Sequence, residues 1–262
     1  MYGDKIRNLR ATESSGRLAV ALIVRYSLKT MTENYFDRII SENLVAKQEK
    51  EQREPSGKLS ASKLYWPLQW QILVTQFYLK SHIDEYTLRK FQRGHDVEEW
   101  LIKQINPLET QKFLEYKGVI GYCDSIVDTK DWDNKVGIIP LEVKSVTNQK
   151  FKYISQRGAD KGHILQNALY ALALKSDYHA ITYIASDDYR TYTTIEETIY
   201  SKKEIDKIIK EFNEAVQSKT IPVFEPREKW QANSKYNSFP LFAGLKEKEL
   251  QIKYIELMRN SK

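Results

Sequence analysis

A glycine followed three residues later by a carboxylate, Gly121-Tyr122-Cys123-Asp124, precedes by 18 residues the triplet Glu142-Val143-Lys144, which lies inside the apolar run from Ile138 to Val146. Successive side chains of a strand alternate faces, so Glu142 and Lys144 share one side while Val143 turns into the core. In a hairpin Asp124 comes opposite Glu142, and two carboxylates and an ammonium then converge near the strand ends. Such a cluster is repulsive without a cation. Mg²⁺ answers that need: it takes oxygen ligands at about 2.0–2.1 Å, commonly one or two carboxylates, with water and substrate phosphate filling the shell. An ion so held lowers the pKa of a bound water and grips a phosphate, while the lysine orients the water and offsets developing charge. Phosphodiester hydrolysis is the reaction this suits. Taken alone, Glu-x-Lys is more often a salt bridge on a solvated strand face.

Further polar residues lie downstream. Gln166 and Tyr170 are four apart on the helix expected after Gly162, and therefore share a face from which an amide and a hydroxyl can reach a phosphate. Lys161 and His163 stand at the start of that helix, where free backbone N–H groups and the helix dipole favour an anion. Between the two groups run Lys144, Lys150, Lys152, Arg157, Lys161 and His163, interleaved with Phe151 and Tyr153. The spacing reads either as a solvated basic loop or as a track offering a nucleic-acid strand both ion pairs and stacking rings.

The elements that must position these residues follow from periodicity. Tyr35, Ile39, Ile40 and Leu44 have helical spacing, and the charge run from Lys47 to Gly57 closes that segment. A helix of about five turns is expected from Ser60 or Ser62 through Leu64, Leu68, Ile72, Leu73 and Phe77. A second runs from Glu85 to Ile105, with Pro107 at its exit. Three strands over 112–119, 120–128 and 136–146 form an antiparallel meander. A helix with Ile164, Leu165, Ala168, Leu169 and Leu172 on one stripe leads to a strand at 180–185, a strand at 192–200, and an amphipathic helix through Ile205, Ile209 and Phe212. A final helix covers 245–258. The order predicts an α/β fold with a mixed central sheet flanked by helices.

Composition narrows the class. With 262 residues, 41% of them hydrophobic, the chain can bury a sizeable core. The 41 Lys+Arg against 35 Asp+Glu give a net charge of +6, which suits a polyanionic partner without requiring one. A single cysteine, Cys123, excludes an internal disulfide, a thiolate zinc site and an iron–sulfur cluster held by this chain. Strand alternation sends that thiol to an apolar face. The apolar run Leu18–Val24 is far short of the roughly 20 residues a bilayer span needs, so no membrane association and a cytoplasmic setting are expected.

Taken in order, Gly121-x-x-Asp124, Glu142-x-Lys144 and Gln166-x-x-x-Tyr170 resemble the RecB-type exonuclease branch of the PD-(D/E)XK nuclease superfamily, which includes CRISPR-associated and phage or viral exonucleases. Upstream, Ser60-x-Ser62-x-Leu64 resembles that family's S-x-S-x-L helix start. Gly94, with Glu98 four residues later, stands in the place of its G-x-x-x-H helix. The resemblance covers residues 59 to 186. It implies a restriction-endonuclease-like core over 58–262, preceded by an extension and linker at 1–57, and a metal-dependent DNA exonuclease acting on single-stranded or free ends in replication, repair or recombination. By the same resemblance Asp124, Glu142 and the Val143 carbonyl bind Mg²⁺ or Mn²⁺, Lys144 is the catalytic lysine, and Gln166 and Tyr170 position substrate; Lys161 and His163 are added as substrate-binding candidates from their place at the helix start alone. Glu98 occupies the place of the family's metal-binding histidine, whereas His95 is three positions early and is expected to point elsewhere. An endonuclease on DNA or RNA, or a DNA-binding scaffold without catalysis, remains the alternative. Residues 1–57 and the final helix are the surfaces left for a protein partner.

Overall fold

A computed structural model describes residues 38–47, 56–79, 85–130, 136–233 and 237–260. The expectations for Leu18–Val24 and Tyr35 lie outside them. The chain divides into two compact units, Met1–Arg53 with Asp84–Arg89, and Glu54–Ile83 with Lys90–Lys262. In the first, residues 38–47 form a helix, α1, with Ile39 and Leu44 half-buried and Ile40 exposed.

The second unit holds the sheet. The continuous helix expected from Ser60 is interrupted: Ala61–Lys63 makes one 3₁₀ turn, and α2 (Leu68–Gln76) starts only after Pro67. Proline has no N–H to continue a helix, and its ring clashes with the preceding turn. Buried Gln71 holds the break, its amide donating to the carbonyls of Lys63, Leu64 and Trp66 at 3.1, 2.8 and 3.2 Å. The α3 helix (Glu85–Ile105) has the expected bounds.

Strands β1 (Glu109–Tyr116) and β2 (Val119–Asp128) are joined through Lys117 and Gly118, both at positive φ (48° and 84°). Tyr116 pairs directly with Val119. This is the two-residue hairpin turn whose twist matches its strands, and it places the boundary three residues earlier than the apolar pattern suggested. After β3 (Ile138–Val146) the chain forms α4 (Asn148–Arg157) and α5 (Lys161–Leu174), then β4 (Tyr178–Ala185), β5 (Thr191–Glu197) and α6 (Thr198–Ser218). A four-residue helix, α7 (Pro240–Ala243), precedes α8 (Glu247–Asn260). The basic stretch after Lys144 is thus a helix and not a loop, capped by the Thr147 hydroxyl, which accepts from the Lys150 N–H.

The sheet order is β1-β2-β3-β4-β5, antiparallel throughout except for the parallel β3–β4 pair, which α4 and α5 connect as a crossover. One face packs Leu114, Val119 and Cys123 against Trp70, Leu165, Leu169, Ile205 and Phe212 from α2, α5 and α6. Fully burying Leu165 or Leu169 stabilises by about 1.5–3 kcal/mol each. The other face of β3 and β4, with Ile139, Leu141, Val143 and Ile184, is closed by Val97 and Leu101 of α3. The α8 helix packs on the first core through Leu250, and Tyr254 meets Phe77 edge-on at 5.1 Å. An α/β fold with a mixed sheet between helices is what the sequence predicts. Among the described residues no helix is long and apolar enough to cross a membrane.

Candidate active site

The site lies where β2 and β3 part. Their ladder runs from Asp128↔Ile138 to Ser125↔Leu141, after which β2 follows β1 alone and β3 continues beside β4. Asp124 and Glu142 are the next residues on either side of the opening. In place of a further backbone pair, Asp124 Oδ2 accepts the Val143 N–H at 2.8 Å. The two carboxylates expected to meet are therefore brought together.

Glu142 is 1% exposed. Its Oε1 accepts from Gln166 Nε2 at 2.7 Å and from Lys144 Nζ. Its Oε2 is buried with no hydrogen-bond partner. Burial pushes the Glu142 carboxyl up to about 7; the Lys144 charge opposes that rise and the Asp124 charge adds to it. Asp124 is likewise raised by burial, against the pull of Lys144 and the Val143 N–H. For Lys144 burial works against the charge, but Glu142 and Asp124 outweigh it and hold the ammonium above its ordinary value.

Gln166 and Tyr170 share a face of α5, as the spacing predicts, but that face is buried against the sheet and does not reach out toward a ligand. Gln166 grips Glu142, and the Tyr170 hydroxyl lies beside Gln166, whose side chain offsets part of the rise that burial imposes on the phenol. Gly121 makes this approach feasible: a Cβ there would lie 2.6 Å from the Tyr170 hydroxyl oxygen. The glycine three residues before Asp124 is thus required by the tyrosine on α5.

Glu98 is near but tied, its Oε1 accepting from Gln111 Nε2 at 2.7 Å. Burial raises its carboxyl, and the charge of Asp124 adds to the effect. The expected ligand set of Glu98, Asp124, Glu142 and the Val143 carbonyl is accordingly not gathered as a three-carboxylate cage: among the described residues no group of three or more such side chains is set to hold an ion. His95 stands three residues before Glu98 on α3 and is exposed. Gln111, whose side chain also helps hold the Asp124 carboxyl down against burial, was not legible from spacing. It stands opposite Asp124 in the β1–β2 ribbon at φ 49°, a conformation no residue pattern around it announces.

Lys161 and His163 are both engaged. Lys161 Nζ pairs with Glu204 at 2.5 Å, and His163 Nδ1 lies 2.9 Å from the Tyr183 hydroxyl. Burial first, then the charges of Lys144 and Lys150, push the His163 imidazole down to about 3, so it is neutral at physiological pH. Cys123 is buried in the main core, and burial raises its thiol far above the ordinary value.

No family model matches the chain, and no curated protein matches it. Solved structures are similar to it at low identity. The crystal structure of SSO0001 is 16% identical with a TM-score of 0.48, over 79% of this chain and 98% of that one. The alkaline exonuclease LHK-Exo from Laribacter hongkongensis, one of whose structures is a complex with dAMP, is 14% identical with a TM-score of 0.48, over 62% and 89%. A phage-related exonuclease from Haemophilus somnus 129PT is 14% identical with a TM-score of 0.42, over 62% and 96%.

The donor set suits a hard divalent ion. Two carboxylates and a backbone carbonyl supply oxygen only, and Mg²⁺ or Mn²⁺ commonly take a small number of protein oxygens with water and phosphate completing the shell. The unpartnered Oε2 of Glu142 is what such an ion would satisfy. Without one, a buried carboxylate beside a second carboxylate costs free energy that proton uptake relieves only in part.

Proposed function

We propose that this chain is a nuclease that hydrolyses DNA phosphodiester bonds from single-stranded or free ends with Mg²⁺ or Mn²⁺, in replication, repair or recombination. The observation that carries the reading is the meeting of Asp124 and Glu142 at the strand parting, with the buried Oε2 of Glu142 left unpartnered and Lys144 beside them. Asp124, Glu142 and the Val143 carbonyl would hold the ion, with Glu98 acting on it through Gln111. When bound, the ion supplies the positive charge that acidifies a water and polarises the scissile phosphate.

The chain's own residues do the rest. Lys144, kept charged by its carboxylate neighbours, donates to a phosphate oxygen and offsets developing negative charge; an ammonium so held is no general base. Gln166 fixes Glu142 Oε1 and so aims Oε2, while Tyr170 seats Gln166. Lys161 and His163 are assigned to holding the start of α5. The phosphate track falls instead to α4, which carries Lys150, Lys152 and Arg157 among its ten residues and no acidic residue. Arg157 and Lys150 flank the half-exposed ring of Tyr153 at 5.1 and 5.3 Å.

End-labelled linear, circular and single-stranded DNA, each with Mg²⁺, Mn²⁺ or chelator, test the reading. Metal-dependent loss of linear or single-stranded DNA, with circular duplex spared, is the expected result. Cleavage by Glu142→Ala equal to that of the native chain overturns it. A DNA-binding scaffold without catalysis is the second reading, favoured by the capture of Glu98 by Gln111; it gives binding with no cleavage under any of these conditions.

A further inference from the structure

Phe113 and Tyr122 are direct partners across the β1–β2 ribbon, with ring centroids 5.4 Å apart and planes at 64°. They are 50% and 40% exposed, while their neighbours Leu114 and Cys123 turn to the opposite face and are buried in the main core. An exposed cross-strand aromatic pair stabilises a hairpin, but that role says nothing about where the pair sits. Phe113 is two residues from Gln111, and Tyr122 is two residues from Asp124. Two strand residues span about 7 Å, so both rings lie one step along the ribbon from the groups that bracket the cleft. Gln111 reaches Glu98 of α3, which puts its side chain on the sheet face that α3 approaches. Phe113 lies on that face as well, because Leu114 beside it turns into the core on the other side.

Resting on the nuclease reading, we propose that Phe113 and Tyr122 form a stacking platform for an unpaired base of the nucleotide whose phosphate enters the cleft, making the substrate at the site a single strand. A paired base keeps its faces stacked within the duplex, whereas an unpaired one exposes a π-face that any aromatic ring can cover, independent of sequence. The ribbon continues directly from the cleft, so phosphate and base of one nucleotide are held by the same hairpin. Each ring is an adaptor for the base only; neither touches the reacting phosphate.

The probes are an oligodeoxythymidylate and an abasic deoxyribose-phosphate oligomer of equal length, titrated against the full chain by fluorescence anisotropy in Ca²⁺. The native chain should bind the thymidylate about tenfold or more tighter, the range expected for one stacked base. Phe113→Leu/Tyr122→Leu should lose that preference while binding the abasic oligomer as before, and Tyr122→Phe should keep it. Equal binding of the two oligomers by the native chain, which needs no variant to fold, overturns the proposal, as does a preference that survives the double substitution. Cleavage assayed in Mg²⁺ on the same oligomers separates the two levels: cleavage without base preference sinks the platform alone, and base preference without cleavage sinks the nuclease reading alone.

Discussion

Asp124 Oδ2 accepts the backbone N–H of Val143 at 2.8 Å, so one carboxylate both ends a β-ladder and opens the cleft beside Glu142. Asp124→Asn retains an oxygen for that N–H, and its stability should stay within about 1 kcal/mol of the native chain. Asp124→Ala leaves the N–H without an acceptor and should cost about 1–3 kcal/mol. On the proposed function both should lose cleavage by about a hundredfold or more, because either substitution would take a charged ligand from the ion. Urea unfolding beside a nuclease assay checks this; equal stabilities of the two variants sink the clamp.

Gly121→Ala should destabilise by about 1–3 kcal/mol, the usual cost of overpacking. The added carbon would meet the Tyr170 hydroxyl oxygen at 2.6 Å, its Cε1 at 2.8 Å and Ala61 Cβ at 3.0 Å. Tyr170→Phe in the same chain removes only the first of these, so it should recover part of the loss. Chemical denaturation of the three chains decides.

Gln166→Ala should weaken metal binding or cleavage by about 10–100-fold, as loss of a group orienting a metal ligand commonly does. Isothermal titration with Mn²⁺ is the measurement. An unchanged affinity and rate would return Gln166 to a packing role.

Glu142 carries the pH dependence of the cleft. Its folded carboxyl sits near 7, above the ordinary 4.5. The metal-free fold therefore takes up a proton there, and this group's contribution to stability is full below about 4.5 and lost as pH rises through about 7. On the proposed function a metal would have to displace that proton, so Mg²⁺ or Mn²⁺ affinity should fall below pH 7 and binding should release a proton. Calorimetry in buffers of different ionisation enthalpy reads the release, and Glu142→Gln should remove it.

His179 acts in the opposite sense. It is fully buried, neither ring nitrogen has a hydrogen-bond partner, and burial lowers its imidazole to about 4 from 6.5. Folding then disfavours the protonated ring: the contribution is full above about 6.5 and lost as pH falls through about 4, amounting to about 3 kcal/mol. His179→Leu should flatten that part of the stability profile in thermal unfolding from pH 7 to 4.

The reach of sequence reasoning differs from residue to residue. Glu142 and Lys144 were legible because strand alternation fixes their common face, and Asp124 because hairpin geometry brings it opposite. Gln111 was not, since its place in the site depends on a left-handed backbone that glycine or asparagine would have signalled and glutamine does not. The broken helix before Leu68 was marked by Pro67, whose effect outweighs the apolar spacing around it. That Gln166 and Tyr170 face inward follows from α5 being covered on its polar stripe as well, which periodicity alone does not reveal.

The divided sheet sets Asp124 on one leaf, β1–β2, and Glu142 on the other, β3–β4–β5, hinged on the ladder between Ser125–Asp128 and Ile138–Leu141. Where the two acidic groups meet is therefore set first by where that ladder ends, and then by the side chains that reach across the opening. A substitution at Pro140 or Ile126, both buried within that ladder, should for that reason be felt at the cleft as well as in the core.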